Sequence, residues 1–175
     1  SKTANTGIYI FEPDIFKLIP KGEFYDFGKQ LFPNMVKKAA PFYGIPINEY
    51  WCDVGNIHTY RQANADILNG KVRVTYAGEL IRIGDFSSLL LGEGVSLGRD
   101  VHISGQVVIG PGCKIGDGVS IENSVLWNDC IVEQQAVIKN SVVGAVCRIG
   151  QGATLSSDSV IASGSYLEDS IQFSN

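Results

Sequence analysis

From Leu91 to Phe173 an aliphatic residue or Phe returns every six residues: Leu91, Leu97, Ile103, Ile109, Ile115 and Ile121, then Leu126, Val132 and Ile138, then Val143, Ile149, Leu155, Ile161, Leu167 and Phe173. A second small or aliphatic residue falls four places after many of these openers, as at Val95, Val101, Val107, Val119, Val125, Ala136, Val142 and Ala153. Glycine often follows the opener at once, at positions 92, 98, 110, 116, 144 and 150. A six-residue rung is one short strand plus a tight corner. Three rungs close a triangular coil whose inward residues are covered by the coils above and below. The pattern predicts a parallel β-helix of hexapeptide repeats over 91–175, with glycine at the corners supplying backbone angles that other residues reach only at a cost.

Two steps, Ile121 to Leu126 and Ile138 to Val143, are five residues long and share a local sequence, Glu122-Asn123-Ser124-Val125 and Lys139-Asn140-Ser141-Val142. Sorted by face, the first column holds Leu91, Ile109, Leu126, Val143 and Ile161, with coils of 18, 17, 17 and 18 residues. Cys113, Cys130 and Cys147 lie 17 residues apart, each four places after a first-face opener, and are expected to stack inward between Val95 and Ser165. Coils about 4.8 Å apart fall within the reach of a disulfide, so a bridge and a ladder of free thiols are both open. A metal site is disfavoured, because no Cys-x-x-Cys or nearby His completes a ligand set.

Residues 1–71 lack the repeat. Gly7–Phe11 is β-prone, Pro13 opens a short helix through Ile19, and 27–38 reads as a second helix with Leu31, Phe32, Met35 and Val36 on one side. Residues 42–47 and 49–54 read as two strands of a hairpin. Asn56 is placed to cap a helix from Ile57 to Leu68 that stops at Asn69-Gly70. These elements amount to half a domain. Residues 72–90 form a bridge, with strands over 72–76 and 80–83, and an irregular first coil shielding the end of the solenoid.

Net charge is −4 with a pI near 5.1, and Lys and Arg form no stripe, which argues against nucleic acid. No window of about 18 apolar residues suggests a membrane span, and no basic-then-apolar leader opens the chain. A cytoplasmic protein is expected.

Two stretches, Asn5-Thr6-Gly7-Ile8-Tyr9-Ile10 and Tyr50-Trp51-Cys52-Asp53-Val54-Gly55-Asn56 followed by Tyr60-Arg61-Gln62-Ala63-Asn64, resemble the sugar-nucleotide pyrophosphorylases. These enzymes join a nucleoside triphosphate to a hexose 1-phosphate and release pyrophosphate. Many continue into a left-handed β-helix, so the resemblance covers the whole chain and implies that hand. It implies a mixed fold: an incomplete α/β nucleotidyltransferase portion followed by a left-handed parallel β-helix. The Trp-Cys-Asp-Val-Gly form looks most like mannose-1-phosphate guanylyltransferases, with adenylyl and thymidylyl relatives close.

By motif, the resemblance makes Asp53 a ligand of catalytic Mg²⁺, a hard cation that neutralises two anionic phosphates; taken alone, Asp53 could equally cap the following helix. It places Asn5 beside the hexose, with Gly7 allowing close approach, although Asn before Thr-Gly is also a common turn residue. Trp51 and Tyr9 could stack on a sugar or pack the core. The family's Gly-rich loop, phosphate-binding lysine and second metal carboxylate lie upstream of these stretches. Gly110–Gly116 falls in repeat register and is no substitute. The 175 residues are therefore expected to be the inactive C-terminal part of a longer enzyme.

Two other functions compete. Left-handed β-helices also serve acyltransferases that use a His base, and His102 is the one His of the solenoid. The solenoid could instead be a non-catalytic oligomerisation or regulatory scaffold. Trp127, expected outward after a rung opener, would then be an interface residue in a homo-oligomer or against the transferase portion.

Overall fold

The computed structural model describes residues 4–156 and 158–174. The chain divides into two compact units, 1–51 and 52–175.

In the first unit, a 3-10 helix spans Pro13–Leu18. One π-helical turn, Phe27–Leu31, runs directly into α1, Phe32–Lys37. Asp26 starts this pair, its carboxylate accepting from the Lys29 amide at 2.8 Å. Ile15, Leu31, Phe32 and Met35 are buried together, and the rings of Tyr9, Phe11 and Phe27 surround Phe32 at centroid distances of 5.0, 6.3 and 5.9 Å. Val36, expected on the buried side, is 64% exposed. It sits about 100° round the helix from Met35, and so short a helix buries only one narrow stripe.

The expected strands over 7–11, 42–47, 49–54 and 72–76 do not form. Ile8 and Ile10 are exposed on either side of the better-covered Tyr9, and Tyr43 and Ile45 are exposed as well. The sequence alternates, but a strand needs a hydrogen-bonding neighbour, and no strand pairs with these segments among the described residues.

The second unit opens with α2, Ile57–Leu68, with the expected bounds. Asn56 caps it: its side chain accepts from the Thr59 amide at 2.9 Å, while Thr59 reaches back to the Asn56 amide at 3.3 Å. Two strands follow, β1 (Glu79–Ile83) and β2 (Ser87–Leu91), paired antiparallel across a tight turn. Ile81 opposes Leu89 and packs on the core, so the hairpin covers the first coil.

From β2 onward the chain is a parallel β-helix of three sheets. Its register is the one the six-residue period implies. Leu91 pairs with Ile109, Ile109 with Leu126, Leu126 with Val143, and Val143 with Ile161. The Leu97 and Ile103 columns stack in the same way. The openers of the middle coils are almost wholly buried, which makes one continuous core.

Val125 and Val142, noted in the sequence only as aliphatic residues four places after an opener, point outward. Where a coil is one residue short, Ser124 and Ser141 take the inward place aligned with Leu89 and Val107. Val125 pairs instead with Val108, one residue before the opener. The buried serines are satisfied: Ser124 donates to the Glu122 carbonyl at 2.6 Å and accepts from the Ser141 amide at 3.0 Å, and Ser141 donates to the Lys139 carbonyl at 2.6 Å. The outer column of this face, Leu90, Val108, Val125, Val142 and Val160, is therefore aliphatic. Helix α2 packs across this face, and Val125 and Val142 are buried although they face away from the core.

The expected role of glycine also needs correction. The glycine directly after an opener is there for space. A Cβ on Gly110 would lie 2.7 Å from the Asn128 amide nitrogen and the Trp127 carbonyl carbon in the next coil. Left-handed backbone falls two residues later, at Gly112 but also at Asp129 and Val146 (φ 58° at both).

Cys113, Cys130 and Cys147 are buried, free and stacked, which leaves the thiol-ladder reading of the column. Each thiol donates to a carbonyl of the next coil: Trp127 at 2.9 Å, Gly144 at 3.0 Å and Ala162 at 3.1 Å. Contact with the Cys113 thiol, and then burial, push the Cys130 thiol well above its usual range; burial raises Cys147.

Candidate functional site

The residues singled out by motif fall in both units. In the first, Asn5 closes a turn on itself. Its Oδ1 accepts from the Gly7 amide at 3.0 Å, and its Nδ2 donates to the Tyr9 hydroxyl at 2.6 Å. Gly7 has φ +77°, and nothing lies within 4 Å of where a side chain would begin, so the turn is open on that side. The Trp51 indole donates to the Thr6 carbonyl at 3.2 Å and holds the same turn. Asn5, Gly7, Tyr9 and Trp51 thus form one cluster. Tyr9 packs against Phe11 and Phe32, the core role. Asn5 keeps one amide hydrogen and one lone pair for a ligand hydroxyl.

In the second unit, Asp53 sits three residues before the Asn56 cap. Asn56 does the capping, and the Asp53 carboxylate is exposed with no hydrogen bond or ion pair among the described residues. No group of three or more metal-ligating side chains occurs among those residues. One free carboxylate fits a single share of a Mg²⁺ shell, since that ion keeps several waters and takes one or two carboxylates plus substrate phosphates.

Trp127 is 45% exposed at the corner after Leu126, and its indole donates to the Tyr60 hydroxyl on α2 at 3.2 Å. One residue along, Arg61 is largely buried. It donates to the Asn123 carbonyl at 3.4 Å and makes an ion pair with Asp158. Tyr60 and Arg61 therefore fasten the N-terminal half of α2, which begins four residues after Asp53, to corners of the solenoid. Arg61 lies inside the Tyr60–Asn64 motif, where nothing local marks it as a clamp. The missed signal was the repeat itself, which stacks Gly105, Asn123, Asn140 and Asp158 at one corner, each with positive φ. His102 is exposed on the solenoid, and its two neighbours in the same strand are Ile103 and Ser104. No helix among the described residues is long and apolar enough to cross a membrane.

Residues 79–173 match the family described as EIF2B subunit epsilon LbH domain, the left-handed β-helix, and residues 1–70 match Nucleotidyl transferase. The chain is 38% identical over 158 residues to a UTP–glucose-1-phosphate uridylyltransferase of Synechocystis, covering 89% of this chain and 40% of the relative. It is 30% identical over 175 residues to a glucose-1-phosphate adenylyltransferase of Desulfitobacterium hafniense, covering 86% and 44%. A glucose-1-phosphate adenylyltransferase of Clostridium perfringens is 29% identical over 149 residues, covering 82% and 37%. The chain thus spans roughly two fifths of the length of the relatives it matches.

Proposed function

The chain belongs to the EIF2B subunit epsilon LbH domain family, here preceded by a nucleotidyl transferase segment, and we propose that it works as the C-terminal part of a sugar-1-phosphate nucleotidyltransferase. The observation that carries this reading is the succession of the two matched segments in one chain, with an Asp53 carboxylate that has no partner among the described residues. The reaction joins a nucleoside triphosphate and a hexose 1-phosphate. A phosphate oxygen of the sugar attacks the α-phosphorus, the bond to the bridging oxygen breaks, and pyrophosphate leaves with that oxygen.

In this reading Asp53 contributes one carboxylate to Mg²⁺, whose charge offsets the anionic phosphates as they meet. The Asn5 amide reads sugar hydroxyls, and the open backbone at Gly7 admits the ring. The exposed Ile8, Ile10, Tyr43 and Ile45 are surfaces that the rest of a nucleotidyl transferase sheet would cover. The bare apolar residues of the last coil, Val160, Tyr166 and Phe173, favour self-association of the solenoid. The setting is cytoplasmic.

The relatives named above act on glucose 1-phosphate with UTP or are adenylyltransferases. They favour glucose 1-phosphate as the sugar and give no support to the mannose and GTP pairing suggested by the Trp51–Gly55 motif. Pyrophosphate release by the intact protein, with UTP, ATP or GTP offered against glucose or mannose 1-phosphate, tests the reading. Glucose 1-phosphate should be preferred, and Asp53→Asn should lower kcat at least about a hundredfold. Full activity of Asp53→Asn would refute the metal role, and robust transfer by the 175 residues alone would refute the partial-enzyme reading.

A further inference from the structure

Three asparagines of this chain are followed by glycine or serine, small neighbours that leave an asparagine side chain open to attack by its own backbone: Asn69-Gly70, Asn123-Ser124 and Asn140-Ser141. The fold holds them unequally. Ser124 and Ser141 are wholly buried. The Ser141 amide donates to the Ser124 hydroxyl at 3.0 Å, and Asn123 Oδ1 accepts from the Gln106 amide at 3.1 Å. The amides of Asn123 and Asn140 donate to carbonyls of the preceding coil at 3.2 and 2.9 Å. Moving either corner therefore means opening the solenoid. Asn69 and Gly70, by contrast, are exposed at the C-terminal end of α2. The Asn69 side chain makes no hydrogen bond among the described residues. Gly70 has φ +74°, with nothing within 4 Å of where a side chain would begin. Its amide donates to the Ile67 carbonyl at 2.9 Å, a bond in the fraying turn of a helix, where local opening costs least.

We propose that Asn69-Gly70 is a site of deamidation and isoaspartate formation, and that the change loosens the end of α2. Hydroxide removes the Gly70 amide proton, the nitrogen attacks Asn69 Cγ, and the new C–N bond closes a succinimide ring. The Cγ–Nδ2 bond breaks, and that nitrogen takes a proton from water and leaves as ammonia. Water then opens the ring. Cleavage on the side-chain side gives aspartate; cleavage on the backbone side gives isoaspartate, in which the main chain gains a methylene. Water is consumed and ammonia released, with no other reactant. Either product puts a carboxylate at the negative end of the helix dipole. Isoaspartate also lengthens the chain between Ile67 and Gly70 and between Asp66 and Lys71, whose carbonyl–amide bonds of 2.9 Å each close the helix. The Lys71–Asp66 ion pair at 2.7 Å spans the same residues. The chemistry is the same whatever reaction the parent protein catalyses.

The test is to age the 175-residue chain in warm, mildly alkaline buffer, folded and in urea. Trypsin cuts after Arg61 and Lys71, so fragmentation of peptide 62–71 locates the replaced nitrogen. A carboxyl methyltransferase specific for isoaspartate counts that product. In the folded chain Asn69 should convert at least about tenfold faster than Asn123 or Asn140, because those two react only when the coils open. In urea all three should convert. Gly70→Ala should slow the reaction at Asn69 at least about fivefold, through the backbone cost of the added Cβ. Asn69→Ser, which has no side-chain amide, should keep its urea midpoint on ageing while that of the parent falls. Conversion of Asn123 or Asn140 in step with Asn69 in the folded chain, an unchanged rate in Gly70→Ala, or an isoaspartate-bearing parent with the midpoint of the fresh protein would each overturn the proposal.

Discussion

Ser124 and Ser141 occupy equivalent places in successive coils, yet removing their hydroxyls should have unequal costs. The Ser141 amide is buried, and its one acceptor is Ser124 Oγ at 3.0 Å. Ser124→Ala therefore strands a buried N–H, at about 1–3 kcal/mol, in addition to a lost hydrogen bond of about 0.5–1.5 kcal/mol. The Glu122 carbonyl that Ser124 serves keeps the Asn140 amide at 2.9 Å, so no acceptor is orphaned. Ser141 Oγ accepts from no amide among the described residues, and Ser141→Ala forfeits only its bond to Lys139. The expected destabilisation is about 2–4 kcal/mol for Ser124→Ala against about 1 kcal/mol for Ser141→Ala. At this chain length that separates their melting temperatures by roughly 3–10 °C. Urea and thermal unfolding followed by circular dichroism would measure both. Equal midpoints for the two variants would show that the short-coil corner is not held by this amide–hydroxyl relay.

The Arg61–Asp158 pair should show a coupling of about 1–2 kcal/mol in a double-mutant cycle of Arg61→Met and Asp158→Asn, and additivity within about 0.3 kcal/mol would remove it as a clamp on α2. The two backbone roles around the corners predict opposite signs. Gly110→Ala forces a Cβ into the next coil and should cost about 1–3 kcal/mol. Val146→Gly relieves a β-branched residue at φ 58° and should gain about 1 kcal/mol, both readable as shifts in urea midpoint. The Cys147 thiol, raised by burial, gives a pH dependence. The unfolded chain releases this proton first, above about pH 8.5, so it then binds fewer protons than the folded chain, and stability falls as pH rises. The drop in urea midpoint from pH 8 to pH 10 should be smaller in Cys147→Ala than in the parent; an equal drop in both would contradict the burial of this thiol.

Much of the solenoid could be read from the sequence because each opener reports its own burial: a six-residue return of Ile, Leu and Val sets both the strands and their stacking. The limits of α2 were equally readable, since Asn56 and Asn69-Gly70 act locally. Errors arose where a local pattern depends on something distant. Val125 and Val142 kept the right spacing from the preceding opener, but each deleted residue moved the inward place to serine. The runs 7–11 and 42–47 alternate as strands do and still lack neighbours to pair with. For the candidate site, the motif picked out Asn5, Gly7 and Asp53 as residues. It could not say that Asn5 spends half its amide on its own turn, that Asn56 rather than Asp53 caps the helix, or that Arg61 spans to Asp158, 97 residues further on.

The valine-lined outer column beneath α2 bears on how this protein can be dissected. A cut just ahead of β1 looks natural on repeat boundaries, because it keeps every coil and its hairpin. Such a cut would strip away the helix that packs on β2 and on the strand Gln106–Ile109 and lay bare the lower part of that aliphatic column. The excised repeats would then be expected to clump in solution, and the twelve residues of α2 are better regarded as the solenoid's missing fourth side.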